Sequence, residues 1–292
     1  MTNPQPVHES LPQTAADSPP PFMPRALRFL RRRGRMALWQ AQSLFGKYHC
    51  NVCGHRVGHF LPLSAVHPGT VANKLKHGFC HEQETFNERE YSCPFCGATD
   101  HDRLYALYLD ELLAKNHVAD RIRIVDFAPV RCLSTYIRRK MQTHSGTYRT
   151  ADLFDPNVDD QVDLMDMHIY RDGQFDFFIC SHVLEHVNDD RKALRELFRV
   201  TSSGGSGIVM VPVALDVDKV DEDPSVTDEG ERWRRFGQHD HVRLYSKKVF
   251  LERLQEAGFK VTELGVSHFG AEKLDPLAIL RESILYIVTR PV

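Results

Sequence analysis

Phe175-Asp176-Phe177-Phe178-Ile179-Cys180-Ser181-His182-Val183-Leu184-Glu185-His186-Val187 runs from an almost unbroken apolar segment into a polar turn. An apolar run of this length, bounded by polar residues, has the form of a strand covered on both faces. In the next stretch, 190–200, Ala193, Leu194, Leu197 and Phe198 recur at helical spacing, and Gly204-Gly205 are read as the stop of that helix. Residues 207–211 then return to an apolar strand. Strand, helix and strand in this order predict two parallel strands joined by a crossover.

The same alternation extends in both directions. Strands are expected at 122–127, 147–151 and 162–164 before this unit and at 259–264 and 284–289 after it. A helix over 247–257 is expected to be capped by Ser246 and stopped by Gly258. Leu104, Tyr105, Tyr108, Leu109 and Leu112 predict a helix over 102–116, with Asp100 or Asp102 as its N-cap. Between the fifth strand and the 247–257 helix lies an acidic loop containing Asp216, Asp218, Asp221, Glu222, Asp223, Asp228 and Glu229.

The N-terminal third is different in kind. Residues 1–24 hold seven prolines among small and polar residues, too little apolar surface to repay ordering, and are read as a disordered tail. Residues 25–46 are read as a basic helix: Arg25, Arg28, Arg31, Arg32, Arg33 and Arg35 interleave with Leu27, Phe29, Leu30, Met36, Leu38 and Trp39. Such a helix suits a membrane surface, an anionic polymer or a protein partner, or equally docking on its own protein through Leu38 and Trp39. Residues 47–101 carry two copies of one turn, Cys50-Asn51-Val52-Cys53-Gly54 and Cys93-Pro94-Phe95-Cys96-Gly97. Two C-x2-C-G pairs are the pattern of a zinc ribbon, with Cys50, Cys53, Cys93 and Cys96 as a closed tetrahedral ligand set for a structural zinc.

With its FD…LEH run at 175–186, the chain resembles the class I S-adenosylmethionine-dependent methyltransferases over roughly residues 121–292, within a catalytic domain set at 102–292. The resemblance implies an α/β fold: a Rossmann-like, seven-stranded methyltransferase sheet preceded by the small N-terminal zinc ribbon. It also implies S-adenosylmethionine lying across the carboxyl ends of the first strands. Carried over position by position, Asp126 is the acid of the loop after the first strand, where Ala128 and Val130 stand in place of the family's glycines. Asp152 matches the acid that accepts both ribose hydroxyls. Asp163 and the backbone of Leu164 match the adenine-binding segment, and Ser181 lies at the cofactor end of the fourth strand. His182 is the candidate base or acceptor-orienting residue. His239 and His241, in the polar run Phe236 to Tyr245, are candidates for the segment over the acceptor pocket. Glu185 and His186 are placed at the start of the next helix, with His186 as a hydrogen-bonding residue there and no metal assigned to the run.

Composition narrows the classes of function. In 292 residues, 37 Lys and Arg stand against 39 Asp and Glu, a formal net charge of -2. A whole-molecule field that draws in nucleic acid or an anionic membrane is thereby excluded, and any such binding is local. No apolar run approaches the length of a bilayer-spanning helix, so the expected location is the cytoplasm. The seven cysteines suit a reducing compartment. The leading expectation is methyl transfer to a small-molecule or glycan acceptor. Its alternatives are a catalytically degenerate methyltransferase fold serving as a binding scaffold, and an RNA methyltransferase, which the absence of a dense basic face on the ribbon disfavours. A dinucleotide-dependent oxidoreductase is weaker still, because Ala128-Pro129-Val130 lacks a glycine-rich turn for a pyrophosphate.

Overall fold

In a computed structural model the structure describes residues 46–115, 121–144 and 146–292. The proline-rich tail and all but the last residue of the expected basic helix lie outside the described residues. The chain enters through β1 (Tyr48–His49) and β2 (Arg56–Val57), an antiparallel pair carrying the first cysteine turn. Helices α1 (Leu63–Val66) and α2 (Pro68–His77) follow, and then α3 (Asp100–Lys115) leads into the sheet. Thr99, not Asp100 or Asp102, caps α3. Its hydroxyl accepts from Asp102 N–H, while Asp102 Oδ2 accepts from Thr99 N–H at 2.8 Å, a reciprocal pair that satisfies two exposed helix-end donors.

The alternation then unfolds as β3 (Arg123–Phe127), α4 (Arg131–Met141), β4 (Thr147–Asp152), β5 (Asp160–Gln161), β6 (Phe175–Ser181), α5 (Asp190–Val200) and β7 (Thr201–Met210). Short strands β8 (Val213–Ala214) and β9 (Asp221–Glu222) precede α6 (Glu229–Phe236), β10 (Arg243–Ser246), α7 (Lys247–Glu256) and β11 (Lys260–Leu264). Two short helices, α8 (Val266–Phe269) and α9 (Ala271–Leu274), and a 3-10 turn lead to β12 (Leu285–Thr289). The main sheet has seven strands in the order β11-β12-β7-β6-β3-β4-β5. β3 through β7 are mutually parallel where they pair, and β12 runs antiparallel to both of its neighbours. The fold class expected from the sequence is the one observed.

Three local expectations are corrected. The third strand of the sheet is Asp160–Gln161, not 162–164; Asp163 and Leu164 fall in the turn beyond it, where Asp163 Oδ1 accepts from Met165 N–H at 2.8 Å. Gly204-Gly205 do not stop α5. That helix ends at Thr201, whose hydroxyl donates to Leu197 O, and the glycines lie within β7. There Phe175 pairs with Thr201 but Phe177 pairs with Ser206, so the strand bulges, and Gly204 takes φ +74 to place its N–H on Arg290 O. Finally, Glu185 and His186 belong to a turn between β6 and α5; the helix starts at Asp190 with Asp189 accepting from Lys192 N–H. Ser246 caps α7 as expected, accepting from Val249 N–H.

The two cysteine turns and the sheet share one core: Cys50, Val52, Val57, Phe60, Cys93 and Ala98 are buried in the same cluster as Val125, Phe178 and Ile208. A second small sheet, β8-β10-β9, stands beyond the carboxyl edge of β7, and Gln83 bridges to Ala214 so that the chain between the two cysteine turns joins it. Phe79, Ala214, Phe236 and Leu244 pack beneath. Among the described residues no helix is long and apolar enough to cross a membrane.

Arg103 ties these parts together. Fully buried, it donates from Nε to Leu277 O (2.7 Å), from Nη1 to Tyr91 O and Ala98 O (3.0 Å each), and from Nη2 to Glu90 O (2.7 Å), with its guanidinium carbon 3.7 Å from the Phe60 ring centroid. Removing it strands the carbonyls of Leu277, Tyr91 and Glu90, each costing about 1–3 kcal/mol, while Ala98 O keeps the Cys93 N–H. Arg103→Met is expected to lower the unfolding free energy in urea by at least about 3 kcal/mol; a loss under about 1 kcal/mol would show that these carbonyls find other donors.

Candidate active site

The connections from β3 leave toward β4 on one side, while β6 lies on the other, so the carboxyl ends of β3 and β6 flank a crevice of the kind in which open α/β sheets bind ligands. Ala128, the first residue past β3, has φ +52, the left-handed backbone that usually selects glycine, and its N–H is held by Ala151 O at 2.8 Å. Val130 needs no glycine: at φ -87 and ψ 132 it is ordinary extended backbone at the N-cap of α4. Its side chain makes no cap hydrogen bond at the start of α4. Asp126 turns inward. It is buried, with Oδ2 2.6 Å from the Tyr148 hydroxyl, which itself lies 3.0 Å from Ser134 Oγ. Burial pushes its carboxyl up to about 7, against the opposing pull of the Tyr148 hydrogen bond and with a contribution from nearby Asp102.

At the end of β4, Asp152 Oδ1 accepts from the N–H groups of Phe154 (2.7 Å) and Asp155 (2.8 Å), a turn of its own making. Its Oδ2 accepts no hydrogen bond among the described residues, and the adjoining Leu153 and Phe154 are exposed apolar side chains. Leu164 is buried by its side chain, while its N–H meets no acceptor among the described residues.

The densest chemistry lies at the end of β6. Ser181 Oγ is 2.7 Å from the Tyr105 hydroxyl of α3. His182 takes φ +56, with its N–H on Met210 O. A non-glycine residue is held there at some cost in backbone strain, which such sites accept to aim a side chain. Its Nδ1 lies 3.1 Å from Glu185 Oε1, and its ring meets that of His101 edge-on, with centroids 4.9 Å apart. Burial alone would raise the Glu185 carboxyl, but His182, His186 and His241 around it bring it down to about 2, so it is ionised. His101 is buried with Nδ1 3.2 Å from Asp100 Oδ1; burial opposes its charge, the Asp100 carboxylate outweighs burial, and its pKa is raised.

Behind His182 sit His186, with Nδ1 3.3 Å from Asp240 Oδ2, and His241, with Nδ1 3.1 Å from Phe236 O. The two rings meet edge-on at 4.7 Å. Burial, with neighbouring His186, holds His241 down at about 4. His239 stands apart from this group, half exposed and stacked over Trp233. The structure therefore joins Ser181, His182 and, through Glu185, His241, and leaves His239 on the rim. It adds His101, Tyr105, Glu185, His186 and Asp240. The spacing His101-x3-Tyr105 on one helical face was the signal for the first two, and it was hidden because 101 was assigned to the edge of the ribbon. Nothing in the local sequence links Glu185 to residues 55 positions away.

The turn holding His182 is itself pinned. Arg243, buried, donates to Leu184 O, Val187 O and Asn188 O, and Arg253 joins Asp190 (2.5 Å) to Glu222 (2.6 Å) alongside it.

At the other end, the two cysteine turns are matching knuckles: Gly54 N–H bonds Cys50 O, Gly97 N–H bonds Cys93 O, and both glycines are left-handed at φ +79 and +80. Sγ of Cys50 and Cys96 are 3.7 Å apart, those of Cys53 and Cys93 are 3.8 Å apart, and all four lie within 4.8 Å of one another. A tetrahedral zinc with bonds near 2.3 Å requires sulfurs about 3.8 Å apart, so the donor set fits that ion.

Comparison with known proteins places residues 101–264 in a family described as a methyltransferase domain. Ajmaline N-methyltransferase from Rauvolfia serpentina is 40% identical over 58 residues, 20% of this chain and 20% of that protein's length. Among solved structures, the carbon methyltransferase CurJ aligns with 91% of this chain and 71% of its own at 14% identity and a TM-score of 0.45. The [4+2]-cyclase SpnF aligns with 80% and 98% at 17% identity and a TM-score of 0.38, and a SAM dependent methyltransferase from Archaeoglobus fulgidus with 63% and 94% at 11% and 0.36.

The raised Asp126 carboxyl makes stability depend on pH. A folded pKa near 7 against 3.8 for the free side chain means that the unfolded chain gives up this proton first. The contribution is full below about pH 4 and is lost as pH rises through about 7, amounting to about 4 kcal/mol at most. Asp126→Asn cannot ionise. Urea unfolding at pH 5 and pH 8 is expected to show a smaller fall for this variant than for the wild type, and equal falls would mean that Asp126 titrates normally.

Proposed function

Because the chain belongs to the methyltransferase-domain family, whose cofactor is S-adenosylmethionine, we propose that it transfers a methyl group to a nucleophilic oxygen or nitrogen of a small-molecule or glycan acceptor. The observation that carries this reading is His182: it stands at the end of β6 in a left-handed backbone, with Nδ1 on a buried, ionised Glu185.

In this reading Asp152 Oδ2 takes the ribose hydroxyls, for which a carboxylate oxygen without a partner is suited. The free N–H of Leu164 and the carboxylate of Asp163 meet the adenine edge, and exposed Leu153 covers its face. The uncapped start of α4, with Arg131 in its first turn, favours a carboxylate. Ala128 already holds the left-handed turn that a glycine would hold and Val130 is extended, so the loop keeps its backbone and adds only these two side chains. When bound, the cofactor supplies an electrophilic methyl on a sulfonium, so the protein must align the acceptor and remove its proton.

His182 does the latter. Its Nδ1–H donates to Glu185 Oε1, leaving Nε2 as the lone pair that accepts the proton, and the Glu185 charge stabilises the imidazolium that results. Ser181 and Tyr105, bonded to each other, fix the wall beside it. Gln238, His239 and Asp240 at the rim supply hydrogen-bonding groups that suit a hydroxyl-rich acceptor. The four cysteines hold one structural zinc in a closed site, and Arg139, donating to Val52 O, ties that knuckle to α4. Seven cysteines without a disulfide among them support a reducing compartment for this chemistry.

Calorimetric titration with S-adenosylmethionine and S-adenosylhomocysteine tests the reading. Asp152→Ala is expected to weaken both by at least about tenfold, about 1.4 kcal/mol, in a folded protein; unchanged affinity would remove the ribose assignment. His182→Asn keeps a residue that tolerates the left-handed backbone. With an identified acceptor its kcat is expected to fall by about 10²–10⁴ while cofactor affinity stays at the wild-type level. A kcat within a fewfold of wild type would exclude His182 as the base.

A further inference from the structure

Glu185, His186 and His241 come from two segments that share no sequence motif, yet each offers a ligand atom within 4.8 Å of the others. We propose that these three residues bind a divalent metal ion of the zinc type, at a second site distinct from the four cysteines.

The donor set is two imidazoles and one carboxylate, the mixture that borderline ions prefer and that magnesium, which seeks oxygen alone, does not. His241 has the ring orientation of a ligand whose other nitrogen is already engaged. His241 presents Nδ1 to Phe236 O at 3.1 Å, so Nδ1 carries the proton and Nε2 is left as a lone pair. His186 brings its ring edge-on to that of His241 at 4.7 Å, with Asp240 Oδ2 3.3 Å from its Nδ1. A histidine backed by a carbonyl or a carboxylate is the usual outer arrangement of metal-bound imidazoles, because that contact fixes both tautomer and ring plane.

Glu185 supplies the independent observation. Its side chain is 1% exposed; Oε1 is held by His182, and Oε2 is buried without a hydrogen-bond partner. A buried carboxylate oxygen with no donor is costly, and a cation between Glu185 and the two imidazoles removes that cost. Asp240, less buried than the other three, backs His186 from outside the ligand set.

The backbone supports the same convergence. Val242 N–H donates to Glu185 O at 2.9 Å, and Arg243 holds Leu184, Val187 and Asn188 by their carbonyls, so the turn carrying Glu185 and His186 is fastened to the segment carrying His241 before any ion enters. Such prior fastening lowers the ordering cost of binding. The ion would lie one residue contact behind His182, through Glu185. The site does not require His182 to be the base, and it stands or falls separately from the methyl-transfer reading.

The test uses full-length protein incubated with excess zinc sulfate, desalted, and analysed for metal by plasma mass spectrometry. The expected content is about two zinc per chain in the wild type, and about one in each of Glu185→Gln, His241→Gln and Cys50→Ser. Cobalt loading identifies which site is filled, because thiolate-to-cobalt charge-transfer absorption arises from the cysteine site alone. That absorption is expected to survive in Glu185→Gln and to vanish in Cys50→Ser. A wild type that retains about one equivalent and shows the full thiolate absorption overturns the second site. Two equivalents that persist in both Glu185→Gln and His241→Gln overturn it as well. One equivalent without thiolate absorption supports the second site and removes the ribbon zinc instead. Should the variants fail to fold, wild-type stoichiometry and absorption decide the question alone.

Discussion

A buried guanidinium with four carbonyl acceptors is the constraint on which the arrangement of this molecule depends. Arg103 sits on α3 between the cysteine knuckles and the sheet, and its acceptors come from the second cysteine turn, from the segment before it and from the C-terminal 3-10 turn. An arginine can serve three separate backbone segments because its donors form a planar fork, and the Phe60 ring covers the face that donates nothing. The same helix presents His101 and Tyr105 to the end of β6. Fixing Arg103 therefore also fixes the helix that carries both side chains to the end of β6.

A comparable device operates on the opposite side. The turn after β6 has no helix of its own to hold it, and its carbonyls at Leu184, Val187 and Asn188 are gathered by Arg243. Arg243 is held in turn by a buried network in which Arg253, Asp190, Glu222 and Tyr245 share charges and hydrogen bonds. Buried ion pairs of this kind contribute little net stability, since desolvation offsets their attraction, but they specify one geometry. Here the geometry specified is a left-handed His182 facing a buried Glu185.

The chain between the cysteine knuckles does more than connect them. Gln83 and Glu84 pair with the strand that follows β7, Glu84 accepts from Lys247 and Tyr286, and α2 packs against α6. The chain between the cysteine turns, the small sheet and α6 thus pack together beyond β7. Residues 237–242, which carry His239 and His241, connect α6 to β10.

The strands and their parallel order were legible in the sequence because a doubly covered sheet demands long apolar segments, and Phe175 to Cys180 could bury nowhere else. The cysteine knuckles were legible because each is a local turn, closed by its own backbone and a left-handed glycine. Ser246 could be read as a cap for the same reason: its partner is three residues away. Where two local readings fitted one segment, the sequence chose wrongly. Gly204-Gly205 suit a helix stop as well as a strand bulge, and only pairing with β6 distinguishes them. What tertiary structure alone decided is the meeting of His101 with His182 and of Glu185 with His241. Those contacts join segments 81 and 56 residues apart and leave no periodicity behind, since a side chain's distant neighbours are set by how helices and strands stack and not by the residues beside it in the chain.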